Sequence, residues 1–156
     1  MWSMNTPMQL HARHIIDFDD VEGVDLNQSA ADVAIFDVPV NGVVKFAALM
    51  ITEVVECDTT DGVIKFDIRP TAGSDTDRGD GDAGVITVPD GTAAGAVIYD
   101  ESAKGQRVNA GEQIVVQYAT AAADDAAVTG HFIPILFIDP EFEMLENLGW
   151  TETSNA

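Results

Sequence analysis

The sequence predicts an all-β fold: antiparallel strands closed as a sandwich or barrel, with a short helix or arm at the C-terminal end. Three observations carry this. Apolar residues recur at period two or in short runs, and helical spacing is mostly absent before residue 140. Gly, Pro, Asn and Asp then punctuate the runs often enough to give eight or nine short strands. At 156 residues and 46% hydrophobic, the chain is sized for one domain with a real core.

Leu10, Ala12, Ile16 and Phe18 suggest a first strand, imperfect because His14 sits on the apolar phase. Val33 to Val38 is a second, stopped by Pro39 and the turn pair Asn41-Gly42. The run from Val43 to Val55 is the strongest signal, β-branched and interrupted in polarity only by Lys45, Thr52 and Glu53. A strand apolar on both phases is expected to be covered on both faces, by core on one side and a neighbour or subunit on the other. Asp58 to Gly62 supplies hairpin-like turn chemistry, and Val63, Ile64, Phe66 and Ile68 form a returning strand closed by Pro70. After the polar loop Gly73 to Gly84 come short strands at Val85–Val88 and Ala96–Tyr99, separated by Pro89-Asp90-Gly91. Gly105 to Tyr118 reads as two strands turning at Asn109-Ala110-Gly111, and Val128 to Ile138 is the last strong strand. Asp139-Pro140-Glu141 is a helix-start signal, with Phe142, Leu145 and Leu148 on one face before Gly149. The expected division is therefore an N-terminal arm and first strand over 1–25, a β-sandwich over 26–139 and a tail over 140–156.

Charge narrows the function. Twenty-seven acids against seven Lys and Arg give −20. Such a chain is a poor fit to nucleic acid, whose phosphates call for basic groups, or to an anionic membrane surface. No apolar run approaches the roughly 20 residues of a membrane span, and no basic segment followed by an apolar stretch opens the chain. The lone Cys57 cannot form an internal disulfide, which suits a reducing cytoplasm.

The side-chain constellations favour bland readings. His11 and His14 with Asp17 could suggest a metal, but residues three apart on a strand point to opposite faces. Asp75, Asp77, Asp80 and Asp82 gather hard oxygens that calcium could use. Yet Asp80 stands where a helix–loop–helix calcium loop needs Gly, and Ile86 where it needs Glu. A solvated loop is expected there and no metal. Arg78-Gly79-Asp80 spells an adhesion tripeptide that recurs by chance. Glu56 and Asp58 flank Cys57 and raise rather than lower a thiol pKa, which disfavours a reactive thiolate. Neither a nucleophile elbow nor a phosphate-cradling glycine loop is present, so no enzyme activity, no catalytic residue and no cofactor are expected.

A larger pattern spans most of the chain. Val33-Ala34-Ile35-Phe36-Asp37-Val38-Pro39-Val40-Asn41-Gly42-Val43-Val44 leads into Ile51-Thr52-Glu53-Val54-Val55, then Asp61-Gly62 and Phe66-Asp67-Ile68. Val108-Asn109-Ala110-Gly111-Glu112-Gln113-Ile114-Val115-Val116 and Ile135-Leu136-Phe137-Ile138 follow. From about Leu26 to Ile138 the chain resembles the small capsid decoration (cement) proteins of tailed bacteriophages. The resemblance implies a jelly-roll sandwich and a homotrimer bound non-covalently to the major capsid protein on the outer shell. It further implies a virion location after assembly in the host cytoplasm. Apolar residues at the ends, Trp2, Met4, Met8 and Leu10 with Phe142, Leu145, Leu148 and Trp150, are then candidate partner-binding residues. A C-terminal helix folding back over its own sheet is the alternative for the second group. The rival class is a receptor- or carbohydrate-binding β module of a phage fibre or tail, which should gather exposed aromatics on one face.

Overall fold

The computed structural model describes residues 7–14, 23–27, 32–70, 78 and 81–141. Among them are eleven strands and no helix: β1 (Met8–Leu10), β2 (Ala12–His14), β3 (Val24–Asp25), β4 (Asp32–Asp37), β5 (Gly42–Glu56) and β6 (Gly62–Arg69). There follow β7 (Gly84–Val88), β8 (Val97–Asp100), β9 (Arg107–Val108), β10 (Gln113–Thr120) and β11 (Thr129–Pro140). They form two antiparallel sheets. In the first, β1 and β3 flank β11, β11 pairs β5, and β8 and β9 flank β5; the second runs β2-β4-β10-β6-β7. The orders β3-β11-β5-β8 and β4-β10-β6-β7, with successive strands from β3 onward passing between sheets except at β6–β7 and β8–β9, are those of a jelly-roll-like sandwich.

Alternation explains how the sheets face each other. On β11 the burial is strictly two-periodic, with Phe132, Leu136 and Ile138 turned to the core. On β5 the inward set is Val44, Ala47, Leu49, Ile51 and Val55. The change from even to odd numbering has a local cause: Ile138 pairs with Val44 but Phe137 with Phe46, so Lys45 is an extra residue in a bulge. The second sheet contributes Phe36, Phe66, Ile68 and Ile114, and the Phe36 and Phe66 rings stack at 6.1 Å. The sheets come very close at Gly84, where an added Cβ would lie 2.6 Å from the Ala47 Cβ. Gly84→Val should therefore force the two layers apart and lower stability by about 1–3 kcal/mol, read as a fall in melting temperature.

Several expectations are corrected. The first strand is two: the chain breaks at His11, so β1 joins the first sheet and β2 the second. Leu10, expected to open the first strand, is buried in the core, and Met8, expected in the arm, packs against it. Asp58 to Gly62 does not close a hairpin. It carries the chain from β5 in one sheet to β6 in the other, and Asn109 to Gly111 does the same between β9 and β10. Asp139 and Pro140 are still strand, with Pro140 opposite Gly42 at the end of β11, a position that tolerates a missing N–H. The expected helix beyond them lies outside the described residues. The sequence reading also missed β3, which is only two residues long but places Val24 in the core.

Candidate interaction surface

The outer faces of the two sheets differ in chemistry. On the second sheet, the outward charged side chains are largely paired with one another, and Ile35, Val115 and the exposed Val85 lie among them. Arg13 donates from Nε to Asp37 Oδ2 at 2.6 Å, and Gln113 donates to Asp37 Oδ1 at 2.8 Å. Arg69 holds Asp67 and Asp32, and Lys65 lies 3.5 Å from Asp67 and 3.3 Å from Asp82. The Arg13 guanidinium holds the Asp37 carboxyl below its ordinary range, with the Gln113 amide adding to the effect.

The first sheet's outer face is apolar. Cross-strand register sets Val97 opposite Met50 and Met50 opposite Ile133. The next row is Tyr99, Ala48 and Ile135, and the one after it is Phe46 and Phe137, whose rings stack at 4.8 Å. Val97 and Tyr99 are 53% and 65% exposed, whereas Phe46, Met50, Ile133, Ile135 and Phe137 are half-buried. Phe46, Ala48, Val97, Tyr99 and Glu101 line an open depression of about 320 Å3. A continuous apolar surface of this kind across three strands marks a place of contact more than scattered single residues do.

Both ends of the described sandwich emerge beside this surface. Met8 pairs with Ile138, so β1 begins where β11 ends, and Gln9 sits opposite Phe137. Glu141 is fixed there by an N–H bond to the Asn41 carbonyl and by Arg107 at 3.0 Å. Trp2, Met4, Phe142, Leu145, Leu148 and Trp150 lie outside the described residues.

The remaining candidates are placed as follows. Asp82 faces the Lys65 ammonium, while Asp75, Asp77 and Asp80 lie outside the described residues, as does Asp17. Among the described residues no three His, Cys, Asp or Glu side chains converge to hold a metal. Arg78 is drawn onto the protein, its Nη1 2.7 Å from the buried Glu112 and its Nη2 donating to the Arg107 carbonyl. Cys57 is buried, and burial first, then the carboxylates of Asp61, Asp90 and Asp124, push its thiol up. The acids responsible come from across the turn rather than from its sequence neighbours Glu56 and Asp58. Native protein at pH 8 should react with a thiol reagent far more slowly than unfolded protein, and a rapid native reaction would contradict the burial.

The aromatic grouping on the outer face escaped sequence reading. Phe46, Tyr99 and Phe137 come from three strands distant in the chain, and only strand order brings them together. No family model, curated protein or solved structure matches the chain.

Proposed function

We propose that the protein is a virion structural protein that decorates the outer surface of a tailed-phage capsid through non-covalent contacts with the major capsid protein, as a homotrimer. The observation that carries this reading is the apolar outer face of the first sheet on a jelly-roll-like frame, set against a second sheet whose outward charged groups are largely paired with one another. Terminal apolar residues, Trp2 and Met4 with Phe142, Leu145, Leu148 and Trp150, would add to attachment. The sequence resemblance to decoration proteins points the same way. The test is to add purified protein to undecorated capsids of the phage that encodes it. Co-sedimentation and new density in threefold groups on the outer shell are expected; capsids that stay bare at saturating protein would overturn the reading. Removing 142–156, while keeping Pro140 and Glu141 in place, should weaken that binding with little change in melting temperature. A large thermal loss with binding intact would assign the segment to the fold instead.

One observation favours a second reading, a receptor- or carbohydrate-binding module of a fibre or tail. Tyr99 is exposed beside a depression that also holds the Glu101 carboxylate, an aromatic platform with a hydrogen-bond acceptor next to it. A glycan array with wild type and Tyr99→Ala separates the two: selective glycan binding lost in the variant supports this reading, and no binding removes it.

A further inference from the structure

The apolar face has a rim, and the rim is acidic. Glu53 and Glu56 stand exposed at one end of β5, Glu101 follows β8 at the edge of the depression, and Asp139 and Glu141 close the other end. Three of the neighbouring cations are engaged, and Lys104, exposed in the turn that begins at Glu101, offsets part of the rim's charge. Lys45 lies 4.0 Å from Asp139, and Arg107 is paired with Glu141. His131 contacts Glu53. Among the described residues, Glu56 and Glu101 have no ion-pair partner.

An apolar centre within an acidic rim selects its occupant by charge. A second copy presenting the same face would set acid against acid, on chains that each carry −20. At a Debye length of about 10 Å in 0.1 M salt, rim charges meeting across an interface are not screened out. An anionic membrane or nucleic acid meets the same repulsion. A protein surface with an apolar centre and Lys or Arg around it gains at both parts, with burial giving affinity and the rim giving orientation and encounter rate.

We infer that the outer face of β8, β5 and β11 docks a protein surface whose apolar centre is ringed by basic residues. This rests on the decoration reading, to which it adds which face turns to the shell and what chemistry the shell must offer. The depression between Phe46 and Tyr99 is the place for an inserted apolar side chain, with Glu101 placed to meet a cation beside it.

The test uses the whole chain, 15N-labelled, and three synthetic probes: an amphipathic Leu/Lys peptide, its Leu/Glu counterpart, and oligolysine of matched charge. The Leu/Lys peptide is expected to perturb amide signals of Met50, Val97, Tyr99, Ile133 and Ile135. It should bind about tenfold or more tightly than either other probe, because each of them lacks one half of the match. Val97→Ser with Ile135→Ser should weaken it by about tenfold while the melting temperature holds, and Glu56→Gln with Glu101→Gln should weaken it several-fold. Equal binding of oligolysine would overturn the inference, as would signals perturbed instead around Arg13 and Asp37. So would a free-protein oligomer that dissociates when Val97 and Ile135 are changed, since a second copy would then occupy the face. Capsid binding separates this inference from the reading beneath it. If undecorated capsids bind wild type and the Val97/Ile135 variant equally, the docking face is wrong and decoration stands. If capsids bind neither while the peptide still finds the face, decoration is wrong and the docking face stands.

Discussion

Replacing Arg69 with methionine is expected to destabilise the sandwich by about 3–5 kcal/mol, a large part of a domain's margin. The reason lies in what is left behind. The Arg69 side chain is 9% exposed, and its Nε donates to Asp67 Oδ2 at 3.0 Å. Its two terminal nitrogens donate to both oxygens of Asp32, each at 3.0 Å, and Nη2 also reaches Gln117 at 3.3 Å. The Asp32 carboxylate, and after it Asp67, holds the guanidinium charged against the cost of burial. Asp67 is almost fully buried, and its Oδ1 accepts no hydrogen bond. Without Arg69 its nearest cation is Lys65 at 3.5 Å, which also serves Asp82 at 3.3 Å. A buried carboxylate is thus left under-compensated. Making Asp67→Asn in the same chain removes the orphaned charge and should recover much of the loss. Urea unfolding of both single variants and the double measures this as a coupling energy. A loss under about 1 kcal/mol for Arg69→Met would show that Lys65 and Asp32 rearrange to compensate.

How much of this was legible in the sequence depends on whether a feature is local. Strand positions were legible because period two and β-branched runs are local: Val33–Val38 became Asp32–Asp37, and Val43–Val55 became Gly42–Glu56. Turn residues were legible too, but not what the turns did. Asp61-Gly62 reverses the chain whether the next strand pairs beside the last or crosses over the core, and here it crosses. The break at His11 follows from the same limit, since Leu10 and Ala12 share a phase but serve different sheets. The polar network on the second sheet is built from Asp32, Asp67, Arg69 and Gln117 on three strands, so no spacing announces it. The candidate site was half legible. A strand apolar on both phases implied a face needing cover, and the structure supplies the companions, Val97, Tyr99, Ile135 and Phe137, that make it a surface.

Leu49 and Met50, neighbours on β5, should respond very differently to the same truncation. Both are large, apolar and in the same run, so sequence offers no reason to separate them. Uninterrupted alternation from Val44 would turn Phe46, Ala48 and Met50 inward. The bulge at Lys45 reverses this, so that Ala47, Leu49 and Ile51 enter the core and Met50 faces out between Val97 and Ile133. Leu49 is fully buried, and Leu49→Ala removes core contacts and leaves a cavity, at a cost of about 2–5 kcal/mol. Met50 is half-buried on an open face where neighbours can settle, and Met50→Ala should cost less than about 1 kcal/mol. Urea midpoints for the two variants, with unchanged slopes, give the comparison. Equal losses would mean that the outer face is packed as tightly as the core, and an already filled face would have no room for a partner. A wide difference leaves Met50 contributing little to the fold, and a large apolar side chain on the outer face that the fold does not need calls for contact with something else.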